Sequence, residues 1–259
     1  MQHIDIATHV TGRRGDNRDL DDAALADLYA YPPDPSEPWI RVNFVASIDG
    51  AIAVDGISGR LGTPADHTVF HLLRELADII LVGAGTVRAE DYGGARTDEQ
   101  LRERRLASGL TAVPPIAVVT LGAALDPESR LFTDTNEPPV ILTCAAAPRD
   151  RIRALTDAGA RVLEIGDDTV TTDGIVGALA ELGTLRVLCE GGPSLFGQLI
   201  ADDAVDELCL TTSPMLVGGL ESRVAVSPTA VPREMVRAHV LADDDGTLLT
   251  RWVRPRRDV

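Results

Sequence analysis

From Trp39 onward the chain alternates short apolar, β-branched runs with longer stretches whose apolar residues recur every three or four positions. The short runs, at 40–47, 78–83, 116–120, 140–144, 161–165, 185–190 and 207–213, predict strands, and two more follow at 236–241 and 247–253. The amphipathic stretches at 64–77, 98–108, 148–158, 172–182 and 193–201 predict helices, the last opening on a proline in its first turn. Strand and helix in alternation imply a parallel sheet with helices on both faces. The last two runs have no helix between them, so they predict a hairpin that finishes the sheet antiparallel. The expected architecture is therefore α/β and three-layered.

Residues 1–38 break this rhythm. They are polar at first, offer one helix candidate at 20–30, and end in Pro32-Pro33-Asp34-Pro35-Ser36-Glu37-Pro38, which reads as an extension and a stiff linker ahead of a domain at 39–259. Aromatic residues make up only 3% of the chain, so the core must be built from Val, Leu, Ile and Ala.

Charge narrows the partners. With 24 basic residues against 40 acidic ones, the net charge of −16 repels nucleic acid and anionic membranes. An anionic cofactor remains possible, because backbone amides at helix starts are locally positive whatever the global charge. Every basic residue is arginine, which excludes a P-loop lysine, a pyridoxal Schiff base and any lysine-dependent dehydrogenase site. Cys144, Cys189 and Cys209 sit singly in apolar runs, as reduced thiols of a cytoplasmic protein do. The N-terminus has no apolar leader, and no run is long enough to span a membrane, so neither export nor insertion is expected.

Three segments carry candidate chemistry. The run 78–82 ends in Gly83-Ala84-Gly85-Thr86, where a glycine turn lets a diphosphate approach the backbone and Thr86 offers a hydroxyl to a phosphate or a cap to the helix. The run 185–190 likewise ends in Gly191-Gly192-Pro193-Ser194. Two such turns at strand carboxyl ends suggest one ligand held between them, although either also suits an ordinary tight connection. The spacing differs from the six-residue dinucleotide fingerprint, and no acidic residue follows at the ribose-binding distance. Third, Ser47-Ile48-Asp49-Gly50 closes a strand and leads into the glycine-rich stretch 55–62, a candidate lid or simply a strand-exit turn.

In order and spacing, Ser47-Ile48-Asp49-Gly50, Leu73-Arg74, Gly83-Ala84-Gly85-Thr86-Val87 and Glu190-Gly191-Gly192-Pro193-Ser194-Leu195 resemble the RibD C-terminal domain, the reductase family of riboflavin biosynthesis. The resemblance implies a dihydrofolate reductase-like fold, a homodimer, and NADPH-dependent reduction of a small pyrimidine such as 5-amino-6-(5-phosphoribosylamino)uracil. By the same resemblance Val45, Leu61, Thr86, Glu90, Thr120 and the turns at Gly83, Gly85 and Gly191–Leu195 would line the NADPH site. Arg74 and Glu190 would face the substrate. The zinc deaminase that bifunctional members carry needs a His-x-Glu and a Cys-x-x-Cys, and this sequence has neither, so a stand-alone reductase is expected.

The departures concern the substrate side. Where the riboflavin enzymes read Asp-Asp-Pro, this chain has Glu90-Asp91-Tyr92-Gly93-Gly94-Ala95-Arg96, with Arg96 a candidate for their second phosphate-binding arginine, and Leu61 replaces their lid tryptophan. Reduction of a pterin on the same scaffold requires a pocket carboxylate, for which Asp66 is the candidate, although Thr63-Pro64-Ala65-Asp66 also reads as a capping box. A non-catalytic nucleotide-binding regulator is the alternative of another class. His67 and His71 have helical metal-ligand spacing but no third ligand, and Ser194 lacks the Gly-x-Ser-x-Gly elbow, so no metal site or serine nucleophile is expected.

Overall fold

The computed structural model describes residues 8–9, 18–96 and 99–255. Much of the 1–38 extension, the first residue of the helix expected at 98–108, and 256–259 lie outside the described residues. One mixed sheet runs through the molecule in the order β2-β1-β10-β11-β9-β3-β8-β4-β5-β6-β7, with β1 at Thr8–His9 and β2 at Arg18–Asp19. The principal strands are β3 (Trp39–Ser47), β4 (Ile79–Gly83), β5 (Ile116–Val119), β6 (Val140–Thr143), β7 (Arg161–Glu164), β8 (Arg186–Cys189) and β9 (Glu207–Ser213). All seven run parallel. The last two strands, β10 (Val236–Ala242) and β11 (Leu248–Val253), form the expected hairpin. Among the described strands only β11 runs against both its neighbours, for it is inserted between β9 and β10.

The apolar runs are buried because both faces of the sheet are covered. In β4, Ile79 and Leu81 pack toward α7 (Thr172–Glu181) and α8 (Pro193–Ala201), through Ile175, Leu179, Leu195 and Leu199. Ile80 and Val82 face the opposite way, against Val87 of α3 (Ala84–Ala89), Leu131 of α5 (Arg130–Thr133) and Leu155 of α6 (Arg149–Asp157). On that face too, Ala65, Val69 and Leu73 of α2 (Pro64–Leu76) pack on Leu188 and Cys209. The remaining helix, α4 (Glu99–Ala107), places Arg105 under the end of α2.

Helix α1 (Asp22–Leu28), read from sequence as part of an extension, packs into the same core as α2 through Leu25, with Tyr29 just beyond its end. The reason is electrostatic as well as apolar. Arg41 donates to the Tyr29 carbonyl at 2.6 Å and Arg251 donates to the Leu28 carbonyl, while Glu207, fully buried, pairs with both guanidinium groups. The two arginines thus complete the carbonyl end of α1 and hold it to β3 and β11.

Candidate functional site

A cleft of about 1060 Å³ opens at the carboxyl ends of β3, β8, β4 and β5, where ligands collect in open α/β sheets. Its floor is made by the two glycine turns. Gly83 donates its amide to the Gly191 carbonyl at 2.7 Å, so the turns after β4 and β8 are bonded to each other. Gly191 has φ +89°, and a Cβ there would meet the Phe44 ring at 2.7 Å, while a Cβ on Gly192 would lie 2.4 Å from the Thr86 hydroxyl. Only glycine permits this approach of the two turns.

Both helices that follow, α3 and α8, start at a glycine and carry no side-chain cap. The first-turn amides are therefore left for solvent or a ligand. Gly85 is exposed, and a Cβ added to it would touch no protein atom, so the cradle is open toward the cleft. An open glycine cradle under two uncapped helix starts fits the diphosphate of a dinucleotide.

Of the residues expected at the cofactor, Val45, Gly83, Gly85, Thr86, Glu90, Thr120, Gly192, Pro193, Ser194 and Leu195 line the cleft. Leu61 and Gly191 do not. The Leu61 side chain is fully buried, because the Ser58–Arg60 turn directs it into the protein rather than over the cleft, and Gly191 stands behind the wall against Phe44. Glu90 accepts the Ser58 amide at 2.8 Å, which fastens the glycine-rich loop to the end of α3.

The substrate side is built on one face of α2, where Asp66, Phe70 and Arg74 recur every four residues. Arg74 does not pair with Glu75, which instead takes Arg104. It meets Glu190 in two parallel bonds, Nε to Oε1 and Nη2 to Oε2, each 2.7 Å, with its guanidinium 4.3 Å from the Phe70 ring centroid. Tyr92 donates to Glu190 Oε2 at 2.6 Å and completes the group. Burial and the neighbouring Glu190 push the Tyr92 hydroxyl's ionisation well above the usual phenol range. Tyr92 was missed from the sequence, where it registered only as a departure from the Asp-Asp-Pro pattern.

Arg96 lines the cleft at its mouth, 71% exposed and paired with Asp134 at 2.5 Å, so it is apart from the Arg74 group. Asp66 is buried, and its carboxyl is held above the ordinary aspartate range by burial, with a Thr211 hydrogen bond opposing. Its amide does donate to Thr63 at 3.3 Å, so the capping reading and the pocket reading both hold for this residue. His67 and His71 stand at the rim.

An α/β sheet with a glycine cradle at its carboxyl edge and an ion-paired, aromatic substrate wall defines an oxidoreductase of the dihydrofolate reductase-like type. The chain belongs to the RibD C-terminal domain family, which matches residues 38–249. It is 30% identical over 186 residues to the 2,5-diamino-6-ribosylamino-4(3H)-pyrimidinone 5′-phosphate reductase of Archaeoglobus fulgidus, covering 71% of this chain and 84% of that protein. The enzyme of the same name from Methanothermobacter thermautotrophicus is 28% identical over 214 residues, covering 80% and 95%. A crystal structure of a pyrimidine reductase-like protein from Corynebacterium diphtheriae superposes with a TM-score of 0.79 at 25% identity, covering 90% of this chain and 99% of that one. Among the described residues, no helix is long and apolar enough to cross a membrane.

Proposed function

We propose that the chain is an NADPH-dependent reductase of a phosphoribosylated aminopyrimidine in riboflavin biosynthesis, working as a homodimer in the cytoplasm. The observation that supports this most is the bonded pair of glycine turns beside the Arg74, Glu190 and Tyr92 group in one cleft. The relatives of this chain carry the name of that activity.

On this reading Gly83, Gly85, Thr86 and Gly192 to Leu195 hold the cofactor's diphosphate through backbone amides, and Val45, Glu90 and Thr120 complete its wall. When bound, NADPH supplies a hydride. The protein's own task is alignment: Phe70 offers a flat apolar surface, Glu190 accepts from ring N–H groups or sugar hydroxyls, and Arg74 fixes the carboxylate that does so. Arg96, at the mouth, is placed to exchange Asp134 for the substrate's phosphate.

The test is oxidation of NADPH, against NADH, with the diaminopyrimidinone phosphate, its deaminated uracil form, and dihydrofolate. Turnover of either pyrimidine supports the proposal. Turnover of dihydrofolate alone favours the pterin reading, for which Asp66 is already buried in the cleft wall. Tight cofactor binding with no turnover of any of the three assigns a regulatory role instead.

A further inference from the structure

Most of the larger polar side chains in the cleft are already committed to other protein groups. Arg74 and Tyr92 occupy Glu190, Glu90 takes the Ser58 amide, and Asp91 faces Arg130 at 3.5 Å. Gln198 donates to the Val170 carbonyl at 3.0 Å and to the Thr172 hydroxyl at 3.2 Å, and Asp66 accepts from Thr211. Asn43 is not committed. It lies in the middle of β3, lines the cleft and is half-buried, and among the described residues its carboxamide bonds to none. Asparagine is disfavoured inside a strand, and a half-buried carboxamide without a protein partner costs stability, so this one is placed for a ligand.

The ladder fixes the direction in which it points. Val42 of β3 pairs with Cys189 of β8, and both side chains belong to the core on the α7 and α8 side of the sheet. The next residue of each segment, Asn43 and Glu190, therefore faces the opposite way, toward α2. Two contacts agree with this: Glu190 meets Arg74 of α2, and Cys209, level with Asn43 on β9, packs with Val69 and Leu73 of that helix. The Glu190 amide still bonds to the Leu81 carbonyl of β4, so its backbone continues the line of β8. Asn43 and Glu190 thus stand side by side on neighbouring strands, about 4.8 Å apart in the backbone.

Resting on the reductase reading above, we propose that Asn43 reads the ring substituent beside the N–H that Glu190 accepts, and that it lets the cleft take both the amino and the oxo form of the pyrimidine. Glu190 has little left to offer. Arg74 takes one position on each of its oxygens and Tyr92 a second on Oε2, so of about four acceptor positions on a carboxylate one remains, on Oε1. It can receive a single ring N–H, and the neighbouring substituent needs its own partner. That substituent is an amino group in the diaminopyrimidinone and a carbonyl in the uracil form. A carboxamide serves either: turned one way it presents its oxygen to the amino group, turned the other it presents N–H to the carbonyl. A carboxylate or an ammonium in the same place would accept one form only. The reduction can therefore precede or follow deamination of the ring.

The test uses two bases that keep the ring edge and lack the ribosyl group, 5,6-diaminouracil and 2,5,6-triamino-4-pyrimidinone, titrated by calorimetry with NADPH present. Wild type should bind both, with dissociation constants within about threefold of each other. Asn43→Leu, close in size and without donor or acceptor, should weaken both about tenfold or more. Asn43→Asp at alkaline pH, about 9, presents acceptors alone; it should keep the triamino base and lose the uracil, moving their ratio about tenfold or more. The kcat/KM values of the two full substrates should move in the same ratio. A purely structural asparagine would change both bases alike in both variants, and would lower the melting temperature. Unweakened binding of either base by Asn43→Leu, an unmoved ratio in Asn43→Asp, or a wild type that binds only one base or neither overturns the proposal. Because the bases are not reduced, a wild type that turns over no pyrimidine defeats the reductase reading and leaves this comparison to decide the role of Asn43.

Discussion

Arg74 and Glu190, 116 residues apart in sequence, form a two-point ion pair in the cleft wall, with Glu190 only 3% exposed. Each was expected to face substrate; both line the cleft, and there each is the other's partner. The pair is thus a prefolded unit, and its two halves must be tested together.

Arg74→Ala leaves a buried carboxylate without its cation. Unfolding in urea should show a loss of about 3 kcal/mol, and Glu190→Gln alone a smaller one. The double variant should be clearly more stable than the sum of the two single losses implies. If the losses add, the pair seen here is not coupled. Substrate kcat/KM in Arg74→Ala should also fall about ten- to a hundredfold, with cofactor affinity spared.

Gly85→Asp probes the cradle without disturbing the fold. The new side chain meets no protein atom, and an acidic group in the first turn suits the helix start. Melting temperature should hold or rise, while calorimetry should show dinucleotide affinity reduced about 100-fold or more, since a carboxylate occupies the diphosphate path. Unchanged affinity would move the cofactor elsewhere.

Acid should weaken the packing around α1 through His239. Burial, with Arg251 and Arg41 nearby, lowers its pKa from 6.5 to about 4, against the opposing pull of Glu207. Its Nε2 is buried without a partner, and its ring meets Tyr29 edge-on at 4.8 Å. Between these two values the unfolded chain binds the proton and the folded one does not, so stability falls as pH drops from 6.5 and levels off below about 4. Allowing for partial exposure, the loss is about 2 kcal/mol. His239→Phe should flatten that part of the pH dependence, and an unaltered slope would assign it to other groups.

Arg105 is 1% exposed and donates from Nη1 to the carbonyls of Arg74, Glu75 and Ala77 at 2.6 to 2.9 Å, closing the end of α2. Arg105→Met keeps the bulk and removes the donors. It should cost about 3 kcal/mol by denaturant titration, with the near-ultraviolet dichroism of Tyr92 altered because the end of α2 positions Arg74.

Most of the fold was legible because its strands are short, apolar and separated by amphipathic stretches; the strand Glu207–Ser213 has the predicted bounds. Helix α3 was not. It follows Gly83 with no intervening residue and no polar cap, and six residues are too few to display a period. The glycine turns were legible as turns, but their bond through Gly83 and Gly191 joins distant segments. The same holds for Tyr92 on Glu190, and for Leu61, whose direction depends on a single short turn. Local pattern names the elements, while contacts between distant residues decide which side chains meet.

The insertion of β11 between β9 and β10 sets an order on how the chain is completed. While the chain emerges from the ribosome, β9 and β10 each present an open edge, and neither can be satisfied until residues 248–253 arrive. Those same residues include Arg251, which fastens α1 near the other end of the sequence. The parallel half of the sheet, which carries the cleft, can form before residues 248–253 are made, whereas the half that anchors α1 must wait for them.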